Sequence, residues 1–148
     1  MSLDASLPPE QVLQKFEHPD WTAARERRAT VPLERLDTLW INTGSLCNIE
    51  CRNCYIESSP ENDRLVYMTR DEVASFLDEI AREGLPTREI GFTGGEPFMN
   101  PDILAMLGDA LTRGHSVLVL TNAMQPMQRP RITSGLLGLH EAHGGRLV

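Results

Sequence analysis

The residues best suited to chemistry in this chain are three cysteines, Cys47, Cys51 and Cys54, which share one polar stretch. The chain has no other cysteine, and random placement of three would give these two spacings about once in 4,000 sequences. An odd number of cysteines in one short stretch does not suit a disulfide framework. Grouped thiolates bind zinc or an iron–sulfur cluster, so the sequence predicts a metal-binding loop.

The cysteine spacing alone leaves the identity of the metal open. A structural zinc site takes four protein ligands, and here the fourth would have to be one of the histidines, which are His18, His115, His140 and His143. Protein cubane clusters are ordinarily held by four cysteines, so three thiolates would leave one iron open. An open coordination position is typical of a catalytic rather than a structural metal.

A second motif, Gly94-Gly95-Glu96-Pro97, follows a stretch with the pattern of a strand. Glycine lets the backbone approach a ligand closely and adopt angles that other residues avoid. Proline favours an extended conformation in the residue before it, which fixes where the carboxylate and carbonyl of Glu96 point. The motif therefore predicts a turn that presents acceptor groups in fixed directions.

Around these motifs the hydrophobic pattern alternates between strand and helix. Strands are predicted at Leu36–Thr43, Arg88–Thr93 and Ser116–Asn122, a third helix at Arg131–His143, and the start of a fourth strand at Arg146–Val148. The third strand is nearly all apolar, which favours burial on both faces of a parallel sheet. Repeated βα units imply right-handed crossovers and helices flanking the sheet.

The first two helices carry clear start signals. Thr69 and Glu72 have the spacing of a capping box, Gly84 ends that helix, and its apolar stripe comprises Val73, Phe76, Leu77 and Ile80. The second helix is predicted to have Asn100 as its cap and Pro101 at its first position. The turns after the three strands should then meet at one edge of the sheet, where chemistry collects in a (β/α) barrel.

Two regions differ in composition. Residues 1–35 are polar and rich in proline and charge, with short helices predicted around Glu10–Phe16 and Trp21–Arg28. Residues 36–148 carry the alternating pattern and form the predicted core domain. Thr121-Asn122-Ala123 lies at the end of its third strand, and its polar groups either face a ligand or form an ordinary turn.

The order of the two motifs resembles the radical S-adenosylmethionine (SAM) superfamily, from about residue 36 to the end. The resemblance implies that Cys47, Cys51 and Cys54 ligate a [4Fe–4S] cluster whose fourth iron is chelated by the amino and carboxylate groups of SAM. It implies that the residues which hold SAM are Gly94, Gly95, Glu96 and Pro97, with Glu96 suited to the ammonium. The turn at Thr121 and Asn122 resembles a Thr-Asn-Gly turn of many relatives.

One position departs from the family pattern. An aromatic residue commonly precedes the third cysteine and lies near the SAM adenine, whereas this chain has Asn53 there and Tyr55 just after. Tyr55 is therefore the predicted adenine contact, and no side chain is assigned as catalytic.

The chemistry that the resemblance implies is transfer of one electron from the reduced cluster to SAM. The resulting 5′-deoxyadenosyl radical would abstract hydrogen from a substrate that the sequence does not identify. A flavodoxin or a ferredoxin would supply the electron. The stretch around Gly94 resembles a branch that includes cofactor-maturing and peptide-modifying members.

The implied fold is α/β, the N-terminal portion of a (β/α) partial TIM-type barrel. Six βα units would need roughly 190 residues, whereas residues 36–148 suffice for about three units and the start of a fourth strand. We therefore expect an incomplete catalytic domain that self-associates or uses a partner to complete the barrel. The alternatives are an inactive truncated fragment, or a small zinc or iron–sulfur module without SAM chemistry.

The composition of the chain argues against several classes of function. The net charge of −7 argues against a duplex nucleic-acid binder, which would carry a basic face. No apolar run approaches the length of a membrane span, and the N-terminus lacks the pattern of a secretory signal. The expected location is therefore the reducing cytoplasm.

Overall fold

The computed structural model describes residue 15 and residues 18–148. The chain divides into two compact units, Met1–Glu34 and Arg35–Val148. The helix predicted around Glu10–Phe16 lies outside the described residues. In the part of the chain that the structure describes, no helix is long and apolar enough to cross a membrane.

The helix predicted at Trp21–Arg28 in the first unit is wrong. Trp21 and Arg27 instead form an antiparallel bridge, and the amide of Arg28 donates to the Asp20 carbonyl at 2.8 Å. The amide of Glu26 donates to the Thr22 hydroxyl at 3.1 Å, a side-chain bond that competes with helical hydrogen bonding.

The second unit is built on a parallel sheet of three strands. The strands are β1, Thr38–Asn42; β2, Glu89–Thr93; and β3, Ser116–Val119, in the spatial order β1-β2-β3. In register, Ile41 lies beside Phe92, and Phe92 lies beside Val119. These strands carry the β-branched and aromatic residues that a pleated, half-buried surface favours.

Helices alternate with the strands and cover one face of the sheet. They are α1, Arg70–Glu83; α2, Ile103–Thr112; and α3, Pro130–Ala142, with a short 3-10 helix at Pro97–Met99. The buried apolar core between helices and sheet includes Val73, Leu77, Ile90, Phe92, Ile103, Leu107, Leu111 and Val117. This alternation confirms the α/β fold, with the arrangement of the N-terminal units of a (β/α) barrel.

The capping signals of α1 are confirmed. The amide of Glu72 donates to the Thr69 hydroxyl at 3.3 Å, and the amide of Thr69 donates to the Glu72 carboxylate at 2.7 Å. Gly84 ends the helix in the left-handed conformation. The predicted stripe is wrong at Phe76, which is 42% exposed because it lies at the edge of the apolar face rather than on it.

The predicted start of α2 is also wrong. The helix begins at Ile103, because the 3-10 helix and a turn occupy the preceding residues. The cap position of α2 is Asp102 rather than Asn100, although Oδ1 of Asn100 accepts from the amide of Asp102 at 2.9 Å. The buried Nδ2 of Asn100 donates to the carbonyls of Thr43 at 3.2 Å and Met68 at 2.9 Å. It thereby joins the end of β1 to the segment that enters α1.

The edge beyond β3 is paired by the last residues of the chain. The amide of Val117 donates to the Arg146 carbonyl at 2.8 Å, and the amide of Val119 donates to the Val148 carbonyl at 3.0 Å. This parallel pairing confirms the predicted start of a fourth strand. The expectation that β3 is buried on both faces is wrong, because the described helices cover only the face that bears Val117.

Candidate functional site

The loops that follow the three strands meet at the C-terminal ends of those strands. The amide of Gly95 donates to the Gly44 carbonyl at 2.8 Å, and the amide of Glu96 donates to the Leu46 carbonyl at 3.1 Å. These bonds continue the pairing of β1 with β2 into the loop that carries the cysteines. The loop after β3 joins them through the side chain of Glu96.

Gly94 and Gly95 are required by contact between two loops of the chain itself. Gly94 has a φ of +139°, and a Cβ atom there would lie 2.6 Å from the Gly44 carbonyl oxygen. A Cβ atom on Gly95 would lie 2.2 Å from the Leu46 carbonyl oxygen, inside backbone that cannot yield easily. These contacts give the two glycines a packing role, and their approach to a ligand stays a prediction.

The carboxylate of Glu96 is buried, with 1% of the residue exposed, and is surrounded by neutral donors. Its Oε1 accepts from the amide of Phe98 at 3.1 Å and from the hydroxyl of Thr121 at 2.8 Å. Its Oε2 accepts from the same hydroxyl at 3.0 Å and from the amide of Asn122 at 2.9 Å. No ion pair of the described residues includes Glu96. The carboxylate is therefore well held, without a cationic side chain to offset its charge.

Asn122 lies between Glu96 and the cysteine loop. Its side-chain Nδ2 is 3.0 Å from Oδ1 of Asn48 and 3.7 Å from Sγ of Cys47, and donates to both. Its Oδ1 accepts from the amide of Met124 at 2.9 Å, as in an ordinary asparagine turn. The segment therefore forms an ordinary turn, and the approach of its polar groups to a ligand stays a prediction.

The three cysteines differ in environment. All three are free thiols; Cys47 is buried, with 5% of the residue exposed, Cys54 is half-buried and Cys51 is exposed. Sγ of Cys54 accepts from the amide of Ser58 at 3.3 Å. The backbone N–H groups of Ser58 and Ile56 lower the pKa of the Cys54 thiol, which favours the thiolate, the form that binds metals.

The loop is braced by polar residues that the sequence analysis did not identify. The hydroxyl of Ser45 donates to the Asn62 carbonyl at 2.8 Å and accepts from the amide of Leu65 at 3.0 Å. Nδ2 of Asn62 donates to the Glu57 carbonyl at 2.8 Å. A cavity of about 530 Å³ lies beside this loop and is lined by Glu50, Cys51, Arg52, Cys54, Glu57 and Ser58.

The three cysteine side chains do not converge on one point as they would around a bound metal. In residues 15 and 18–148, no three His, Cys, Asp or Glu side chains are arranged to hold a metal ion. The donor set nevertheless fits a cluster with an open position, because three free thiols share one loop and one of them favours the thiolate. A structural zinc site would need a fourth protein ligand, and in the described residues no histidine is grouped with two of the cysteines.

Tyr55 stands apart from the network that joins Cys47, Glu96 and Asn122. Its side chain is 75% exposed, and no hydrogen bond of the described residues draws it into that network. Its predicted contact with an adenine stays a prediction. Pro97 begins the 3-10 helix and is buried, so it sets the backbone after Glu96.

The model of the radical SAM superfamily matches residues 41–138, and this chain belongs to that family. The match contains the end of β1, the cysteine loop, Glu96, Asn122 and most of α3. It therefore includes each part of the network described above.

Three curated proteins resemble the chain over about half of its length. The subtilosin biosynthesis protein AlbA of Bacillus subtilis is 37% identical over 76 residues, which cover 51% of this chain and 16% of AlbA. Fe-coproporphyrin III synthase of Methanosarcina barkeri is 30% identical over 79 residues, covering 51% of this chain and 18% of the synthase. A SAM-dependent nucleotide dehydratase of Selenomonas ruminantium is 29% identical over 76 residues, covering 51% of this chain and 26% of that enzyme. The matched part is thus between 16% and 26% of the length of these relatives.

Solved structures support the fold. SuiB of Streptococcus suis bound to S-adenosylmethionine superposes with a TM-score of 0.56 and 20% identity, over 69% of this chain and 22% of SuiB. A second SuiB structure gives a TM-score of 0.55 and 18% identity, with the same coverage. At this level of identity the likeness concerns the arrangement of strands and helices.

Proposed function

We propose that this chain forms the part of a radical SAM enzyme that binds a [4Fe–4S] cluster and SAM. The observation that carries the proposal is one hydrogen-bonded network at the edge of the sheet. It joins a loop with three free thiols to a buried carboxylate through Asn122.

The proposed cluster ligands are Cys47, Cys51 and Cys54. Their three thiolates supply the soft donors that iron–sulfur clusters require and leave one coordination position for another ligand. When bound, the cluster and SAM would supply the chemistry of the family, reductive cleavage of SAM and hydrogen abstraction from a substrate. The chain's own residues anchor, orient and shield these groups.

Glu96 is the proposed acceptor for the ammonium group of SAM. A buried carboxylate without a cationic partner is costly, and a ligand cation at the same place would offset that cost. Thr121 and the amide of Asn122 hold the carboxylate in one orientation. Gly94 and Gly95 keep the loop in contact with the cysteine loop, so that the two ligand sites are adjacent.

The substrate class stays open in this proposal, because the matched relatives are named for a bacteriocin, a coproporphyrin and a nucleotide. We propose that a flavodoxin or a ferredoxin provides the electron. We also propose that further protein, from a second copy or a partner, completes the barrel around the substrate. The exposed Cys51 and its cavity give the electron donor access to the loop.

Anaerobic reconstitution with iron and sulfide tests the proposal. We expect about four irons per chain and a visible charge-transfer band, because the three thiolates anchor one cubane. Electron paramagnetic resonance (EPR) of the reduced protein should change when SAM is added. Stoichiometric zinc with no uptake of iron would contradict the proposal and support a small zinc-binding module instead.

A further inference from the structure

We infer that Asn122 is a positioning residue for the proposed cluster, because its side-chain amide donates a hydrogen bond to the sulfur of Cys47. This inference rests on the proposed function, since it concerns the sulfur as a cluster ligand. In this inference the side chain of Asn122 contacts a cluster ligand. The family resemblance instead implies that its polar groups face SAM or the substrate.

The orientation of the Asn122 amide follows from its partners. Its Oδ1 faces the N–H of Met124 at 2.9 Å, which requires an acceptor. The opposite orientation would set two donors against each other there, so Nδ2 must be the atom that faces Cys47 and Asn48. The contact with the sulfur is 3.7 Å, within the range for sulfur acceptors.

Two further bonds hold Asn122 in this place. Its backbone amide donates to Oε2 of Glu96, and its Nδ2 donates to Oδ1 of Asn48, the residue after Cys47. The side chain is therefore restrained from both ends before any cluster binds. A donor that is already oriented stabilises charge on the sulfur without having to reorganise.

Cys47 is the cysteine at which such a bond has most effect. It is the buried cysteine of the three, and hydrogen bonds are electrostatically stronger where water is excluded. Hydrogen bonds to cluster sulfurs raise the reduction potential, because the reduced cluster carries more negative charge. The side-chain amide of Asn122 should thus favour the reduced state of the cluster.

The variant Asn122→Leu removes the donor and keeps a side chain of similar size. In the reconstituted protein we expect the ratio of reduced to oxidised cluster at a fixed potential to fall about tenfold, a decrease of about 59 mV in midpoint potential. A potentiometric titration followed by EPR measures this. Gln128→Ala is the control: it removes an exposed hydrogen bond to Ala123 in the same segment and should leave the potential unchanged.

Asn122→Asp serves as a second variant, because it keeps the acceptor for the amide of Met124 and lacks the donor. Its potential should decrease at least as far, since it adds negative charge near the sulfur. If neither variant folds by circular dichroism, the wild-type cluster with 15N in the asparagine side chains should show a 15N coupling in pulsed EPR. Absence of that coupling would overturn the inference.

The outcomes separate this inference from the proposed function. A wild-type chain that takes up no iron would overturn both. A wild-type cluster that responds to SAM, with the same potential in Asn122→Leu, would overturn the role of Asn122 alone.

Discussion

The backbone amide of Asn122 donates to the carboxylate of Glu96 at 2.9 Å, so the loops after β2 and β3 are held together at a buried negative charge. The same asparagine donates its side-chain amide to Cys47 on the loop after β1. Residues far apart in sequence thus form one network at the edge where parallel strands end. Changes at any of them should affect the neighbouring ligand site.

Removing the charge of Glu96 should weaken SAM binding. In Glu96→Gln we expect the affinity of the reconstituted protein for SAM to fall by about 1.5–3 kcal/mol, the value of a hydrogen bond to a charged group. An EPR titration with SAM measures the affinity, and the iron content should stay near that of the wild type. Thr121→Val is the matched control: it loses a hydrogen bond to the same carboxylate but keeps the charge, so its loss should be smaller. Equal SAM affinity in Glu96→Gln and the wild type would contradict the prediction.

Each cysteine should be needed for the cluster. Replacing Cys47, Cys51 or Cys54 by alanine should remove most of the bound iron after anaerobic reconstitution, because each is one of three anchors. Iron and sulfide assays on the desalted protein measure the loss. Arg52→Ala, an exposed change in the same loop, should keep the iron of the wild type. Full iron content in any of the three cysteine variants would show that the metal has other ligands.

Local signals in the sequence predicted the elements well. The capping box of Thr69 and Glu72 and the C-terminal Gly84 depend on neighbours within one helical turn, so they could be identified without the fold. The predicted strands contain the observed ones, and they are longer because pairing, rather than composition, decides where a strand ends. The order of the cysteine and glycine motifs was enough to recognise the family.

Features that depend on distant contacts could not be predicted. Asn100 has the sequence of a helix cap, and its Oδ1 accepts from the amide of Asp102, but its Nδ2 donates to Thr43 and Met68, which only the fold brings near. The bond between Ser45 and Asn62 spans a loop without a local signal. The close contact of Gly95 with the backbone at Leu46 likewise has no local signal in the sequence, which predicts only the approach of a ligand there.

The stability of the second unit should decrease as the pH falls below about 6.5. Burial lowers the pKa of His115, whose Nδ1 lies 3.2 Å from the Thr87 carbonyl. The unfolded chain then binds a proton more readily, so this contribution is present above the unfolded pKa of about 6.5 and is lost as the pH falls below it. His115→Asn, which keeps a donor for the carbonyl, should reduce this pH dependence in urea titrations. The same slope in both proteins would assign the effect to other groups.

The same substitution at two glycines should have opposite effects on stability. In Gly95→Ala the new methyl group would overlap the backbone at Leu46, so we expect the free energy of unfolding to fall by about 1–3 kcal/mol. Gly138 lies inside α3, and nothing lies within 4 Å of a Cβ atom added there. In Gly138→Ala the free energy of unfolding should therefore rise by about 0.5–1 kcal/mol, since alanine loses less backbone entropy than glycine on forming a helix. Urea unfolding followed by circular dichroism compares the two variants with the wild type.

Gly138→Ala is the control, because it adds the same methyl group where nothing contacts it. A loss of stability in Gly95→Ala alone would therefore come from the contact between the two loops. A Gly95→Ala variant as stable as the wild type would mean that the loops after β1 and β2 can separate without loss of stability. The contact between these loops would then no longer explain why the two proposed ligand sites are adjacent.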